Sequence, residues 1–131
     1  MQQTNNKGFI DLVIESEDFC TVVEFKNIQI SYLDLKGKGL DDKAKKLKAM
    51  TVEEVLGLQF SRDKFRSGTI KKWVEGDVCT QLQSYIKGRT VDVHSVDKKF
   101  RAYAAVIIGS RQILIREMDR NGSWVGDYEL V

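Results

Sequence analysis

Three charged residues near the start of the sequence, Asp11, Glu24 and Lys26, have the types and spacing of a small polar site. Two carboxylates offer hard oxygen ligands to a divalent cation, and a lysine beside them adds a positive group for an anionic substrate. What must position them is a strand pair. Residues 8–15 are rich in apolar and β-branched side chains, Ser16-Glu-Asp-Phe19 is a turn signal, and residues 20–26 form a second such run. A tight loop centred between Glu17 and Asp18 pairs positions that sum to 35, so Asp11 falls opposite Glu24 and Phe9 opposite Lys26. Alternation then puts Asp11, Glu24 and Lys26 on one face. The other face carries Ile10, Leu12, Ile14, Thr21, Val23 and Phe25, an almost unbroken apolar surface. Carboxylates directly across a strand pair repel unless something neutralises them, and a divalent cation would. The plain alternative is a half-exposed hairpin whose charged face meets water. Val13, Val22 and Cys20 share that face, however, so something covers part of it, and buried carboxylates need partners.

The rest of the chain supplies one sheet and its helices. Residues 28–35 extend or follow the second strand. Residues 36–50 hold six lysines and two glycines, which suits a mobile loop or an exposed helix with Leu40, Ala44 and Leu47 as weak apolar anchors. Thr51-Val-Glu-Glu54 has the capping-box spacing. The clearest helix runs over about 69–87, with Ile70, Trp73, Val74, Val78, Leu82, Tyr85 and Ile86 on one face, Gly88 as its stop and Gly76 weakening its middle. Residues 103–108 read as a buried strand. Gly109-Ser110 turns it into residues 112–118, and Asn121-Gly122 turns that into a last strand ending at Val131. The expected fold is mixed α/β (α+β), a single mixed sheet flanked by helices, in one domain over residues 1–131.

Composition narrows the function. With 42% apolar and 31% charged residues the chain can fold around a core, and no apolar run approaches a membrane span. No basic-then-apolar leader opens it. Two cysteines, Cys20 and Cys79, make no disulfide scaffold and no C-x-x-C motif, so a cytoplasmic setting is the default. Charge is uneven: residues 1–35 carry six acids and two bases, residues 36–72 eleven bases and five acids. An acidic pocket beside a basic stretch suits a metal-dependent site acting on a polyanion.

Gly8-Phe-Ile-Asp11, Glu24-Phe-Lys26 and Gln81-Leu-Gln-Ser-Tyr85 resemble, in order, the G-x-x-D, E-x-K and Q-x-x-x-Y motifs of RecB-type nucleases in the PD-(D/E)XK nuclease superfamily. The strands Asp11-Leu-Val-Ile-Glu15 and Val22-Val-Glu-Phe-Lys26 are similar to those of members that accompany ATPase-like modules. The resemblance implies a restriction-endonuclease-like core and phosphodiester hydrolysis with Mg²⁺ or Mn²⁺. It makes Asp11 and Glu24 the metal ligands, with the Phe25 backbone carbonyl as a third, and gives Lys26 the attacking water and the developing charge. It places Gln81 and Tyr85 beside the site, against the scissile strand or Lys26. The plain reading of those two is a boundary residue and a core aromatic. Nucleic acid is the implied partner, DNA ahead of RNA, with a homo-oligomer or an ATPase-like module as companion. The chain departs from the pattern twice. Residues 36–66 look like a lysine-rich insertion. Only seven residues, with no acid and no histidine, precede Gly8, where members carry a helix with a further acid or histidine. The expectation is a piece of a longer protein or a reduced, inactive version.

Lys43, Lys45, Lys46 and Lys48 follow the strand bearing Glu24 and Lys26, so they are expected to meet nucleic-acid phosphates rather than core. Other candidates carry less. His94 has no ligand partner at metal spacing, and Gly37-Lys38-Gly39 is too short for a phosphate loop. Trp73 belongs to a helix core and Trp124 to strand packing. A nuclease is therefore set against a catalytically silent module of the same fold that binds nucleic acid or protein.

Overall fold

The computed structural model describes residues 3–5, 8–61, 66–89 and 99–131. One edge of its main sheet is a tight hairpin of β3 (Leu12–Glu15) and β4 (Phe19–Ile28). The Ser16 N–H donates to the Phe19 carbonyl at 2.9 Å, and the Ser16 hydroxyl accepts from the N–H groups of Asp18 and Phe19. That closes a two-residue loop at Glu17-Asp18 and fixes the register, with Leu12 opposite Val23 and Glu15 opposite Cys20. Paired positions sum to 35, as the turn chemistry requires.

The first strand is broken where continuity was expected. Asp11 is a bend between β2 (Gly8–Ile10) and β3, and β2 pairs with β1 (Gln3–Asn5) in a separate two-stranded sheet. Phe9 therefore lies opposite Thr4 and not opposite Lys26. The larger sheet has the order β3-β4-β5-β6-β7, with β5 (Lys99–Ile108), β6 (Gln112–Met118) and β7 (Trp124–Leu130). The pair β4–β5 is parallel and the other pairs are antiparallel. A parallel pair demands a long crossover, and the helices occupy it. Gly109 and Ser110, both with φ near +58° (58° and 57°), make the tight β5–β6 turn. Gly109 also runs so close to Ile30 that a Cβ there would collide with it.

β4 ends at Ile28, and residues 30–32 form a 3₁₀ turn rather than more strand. The lysine-rich stretch is a helix, α1 (Leu40–Lys48), and Thr51 opens α2 (Val52–Leu56) through a complete capping box. The long helix expected over 69–87 is three segments: α3 (Ile70–Trp73), a π-helical stretch (Val74–Val78) and α4 (Cys79–Arg89). The wide turn falls where Gly76 makes regular helix least favourable. All seven apolar positions of that helix are nonetheless buried. α4 continues past Gly88, which does not stop it.

The core lies on one face of the sheet. Cys20, Val22 and Ile28 of β4, Ala102, Ala104, Val106 and Ile108 of β5, and Leu114 and Met118 of β6 are buried against Leu47, Val55, Ile70, Val74 and Leu82 of the helices. The odd-numbered positions of β4 take no part: Phe19 and Phe25 are exposed, and Thr21 and Val23 are half-buried. Leu12 and Ile14 on the same side of the hairpin are half-buried and exposed, so among the described residues this apolar face is the open one.

Candidate functional site

Asp11 owes its place to the break in the first strand. Hydrogen-bonded pairs alternate along an antiparallel ladder, so with Ser16–Phe19 as one such pair, the N–H of Phe25 faces where residue 10 would have stood. The chain has turned away there, and the Asp11 carboxylate accepts that N–H instead, Oδ2 to N, at 2.7 Å. This bond ties Asp11 to the backbone between Glu24 and Lys26.

Glu24 points into the covered face and is 3% exposed. One of its oxygens, Oε1, lies 3.2 Å from the Lys26 ammonium, and the other, Oε2, is buried with no hydrogen-bond partner among the described residues. Burial pushes the Glu24 carboxyl above its ordinary value of 4.5; Lys26 opposes this through charge and hydrogen bonding, while the charge of Asp11 adds to it. Ala104 sits directly across from Glu24 on β5 and offers it no polar partner. An unmet carboxylate oxygen in a dry setting is costly, and a hard cation is the partner that would meet it. Asp11 and Lys26 are half-buried, so the cluster opens towards solvent on their side. Among the described residues no group of three His, Cys, Asp or Glu side chains stands close enough to hold a metal. Asp11, Glu24 and the Phe25 carbonyl would leave the remaining positions to water or substrate, as Mg²⁺ tolerates.

α4 packs against β2, the strand that leads into Asp11, and against β5. It carries Tyr85 buried in the core and Gln81 exposed one turn earlier. Lys45, Lys46 and Lys48 are exposed on α1 and Lys43 is half-buried, but Ala44 and Leu47 are buried. The helix is thus anchored in the core, against the expectation that this segment avoids it, because its apolar spacing selects one inward stripe. His94 lies outside the described residues. Trp124 is a half-buried strand residue packed against the core.

Two arginines join the site region and the sheet edge through contacts that no sequence motif signals. Arg66 donates to the carbonyl of Asn27, next to Lys26, at 3.1 Å, and its guanidinium lies 4.6 Å from the Trp73 ring centre. Arg116 sits between the rings of Tyr128 and Trp124, at 4.5 and 5.2 Å, and 3.8 Å from Glu75 on the π-helical stretch. Neither has a local motif; each depends on elements distant in sequence. Comparison with known protein families, with curated proteins and with solved structures finds no match.

Proposed function

We propose that this chain is a metal-dependent nuclease that hydrolyses phosphodiester bonds, with DNA ahead of RNA as substrate. The observation that carries the reading is the unpartnered, buried Oε2 of Glu24, held beside Lys26 and within electrostatic reach of Asp11. Asp11, Glu24 and the Phe25 carbonyl would hold Mg²⁺ or Mn²⁺, which when bound polarises a phosphate and acidifies water. Asp11 uses Oδ2 to fix the Phe25 N–H, and among the described residues no hydrogen bond takes up Oδ1, which could serve a ligand. With the Glu24 charge met by a cation, Lys26 is released from its ion pair to orient the attacking water and to stabilise charge building on the phosphate. The water oxygen bonds to phosphorus, the ester P–O bond breaks, and a proton passes to the departing sugar oxygen.

A silent binding module of the same fold is favoured by one fact, the absence of a third metal-ligating side chain among the described residues. One experiment separates the two. Asp11→Asn keeps a hydrogen-bond acceptor for Phe25 but removes the charge. The expectation is Mn²⁺-dependent cleavage of DNA by the native protein, lost in Asp11→Asn and Glu24→Gln. Mn²⁺ at a hundred times its dissociation constant should add about 2.7 kcal/mol of stability to the native protein alone. Equal Mn²⁺ shifts in native and variant proteins, with no cleavage by either, would exclude the nuclease.

A further inference from the structure

The cleft at the carboxyl ends of β4 and β5 has an unusual mixture of walls. It encloses about 450 Å³ and is lined by Asn27 to Ser31, by Leu40 and Ala44 of α1, and by the 109–111 turn. Open α/β sheets bind ligands beyond the carboxyl ends of parallel strands, and β4–β5 is the parallel pair here. A second hollow of about 280 Å³ adjoins it, sharing Ala44 and Arg111 and adding Lys45, Lys48 and one acid, Asp41. Apolar walls from Ile28, Ile30 and Leu40 thus pass directly into three cations. Leu40 is 64% exposed, a large apolar side chain that the fold itself leaves uncovered.

We propose that this cleft receives one unstacked nucleotide, its base against Leu40 and its phosphates on Lys45, Lys48 and Arg111, so that the substrate is single-stranded DNA or a frayed DNA end. The proposal rests on the nuclease reading and gives it a substrate class. The volume lies in the range of small-ligand sites, and a base can enter it only after leaving its stack, which a continuous duplex resists. Sequence-tolerant single-strand binding combines a face that packs on the base, usually aromatic and here the aliphatic Leu40, with a cationic track for the backbone. The place is right as well. Asn27 directly follows Lys26, and Ile28 lies about 7 Å further along the strand than Lys26 at ordinary strand rise. A strand seated in the cleft therefore leads its neighbouring phosphate towards Lys26, Glu24 and Asp11.

The test is fluorescence anisotropy with fluorescein-labelled oligo(dT) and with a blunt duplex of equal length, at low salt in EDTA. Single strand should bind about tenfold more tightly than duplex. Leu40→Ala should weaken single-strand binding by about tenfold and leave duplex binding unchanged, whereas Arg111→Glu should weaken both. Leu40→Trp, which adds a stacking surface, should tighten it, a gain that misfolding cannot produce. Lys72→Glu, an exposed position on α3 outside the cleft, is the control and should change neither. Equal affinity for the two forms, or indifference to both Leu40 substitutions, would overturn the cleft assignment. The nuclease reading is judged apart from this, by whether Mn²⁺-dependent cleavage disappears in Asp11→Asn whatever strand form is cut.

Discussion

The two faces of β4 share one backbone and one register, yet they have opposite fates. Its even positions, Cys20, Val22, Glu24 and Ile28, are buried beneath the helices, while Phe19 and Phe25 stand open at 42% and 40% exposure. By side-chain chemistry alone the odd face is the more hydrophobic. What decides burial is where the crossover from β4 to β5 lays its helices, and it lays them over the face that contains the charged pair. The polar site is thus kept dry by the core, and the apolar face is left to the surroundings.

The sharpest way to break this comparison is to truncate one residue on each side. Ile28 is fully buried, so Ile28→Ala should cost about 2–5 kcal/mol through lost burial and the cavity left behind. Phe25→Ala, on the same strand three residues away, should cost about 1–1.5 kcal/mol, since a large part of that side chain already meets solvent. Urea unfolding of both variants measures the difference. Comparable losses would mean that the open face is covered in solution.

That contrast also marks how far the sequence could be read. The hairpin register was legible because Ser16-Glu-Asp-Phe19 fixes loop length, and loop length fixes every pair behind it. The presence of cover over Glu24 was legible from Val13, Val22 and Cys20 sharing its face. The breaking of the first strand at Asp11 was not, because nothing local distinguishes a strand residue from a bend whose side chain takes over a ladder bond. The π-helical turn was legible only as a weakness at Gly76. The exposed state of Phe25 depends on the path of the crossover, which is a tertiary matter. Arg111 and the cleft beside it were out of reach for the same reason: β-turn and helix meet only after the sheet has formed.

A smaller effect sharpens the comparison from the covered side. Burial raises the Glu24 pKa above 4.5, so in the absence of metal the folded protein holds this proton more tightly than the unfolded chain does. The stabilising contribution is full below the unfolded value and is lost as pH rises through the raised folded value. Native protein in EDTA should lose stability relative to Glu24→Gln as pH climbs from 4.5 towards neutrality, by about 1.4 kcal/mol for each pKa unit of the shift. Denaturant midpoints of both proteins across that range check it, and Mn²⁺ should reverse the loss by favouring the ionised carboxylate. A difference that is flat with pH would mean Glu24 is solvated after all.

The smallest effect is expected at the edge of the covered face, where the fold uses polar rather than apolar contacts. The Tyr128 hydroxyl on β7 donates to the Glu75 carboxylate at 3.0 Å, and Arg116 lies against its ring. Burial and that acceptor together push its pKa up to about 12. Tyr128→Phe keeps the ring and its stacking on Arg116 but deletes the hydroxyl. The loss should be about 0.5–1.5 kcal/mol near neutral pH, the worth of one hydrogen bond to a charged group at a half-exposed position. The sign changes the picture at alkaline pH. A tyrosine whose folded pKa exceeds its unfolded value near 10 lends stability that disappears as pH rises through about 12. The native protein should therefore lose its advantage over Tyr128→Phe as pH rises from about 10 towards 12, and the ultraviolet titration of the variant should lack one tyrosinate that forms near pH 12. A hydroxyl that titrates near 10 would mean that Glu75 does not reach β7, and the link between the π-helical stretch and the sheet edge would fall with it.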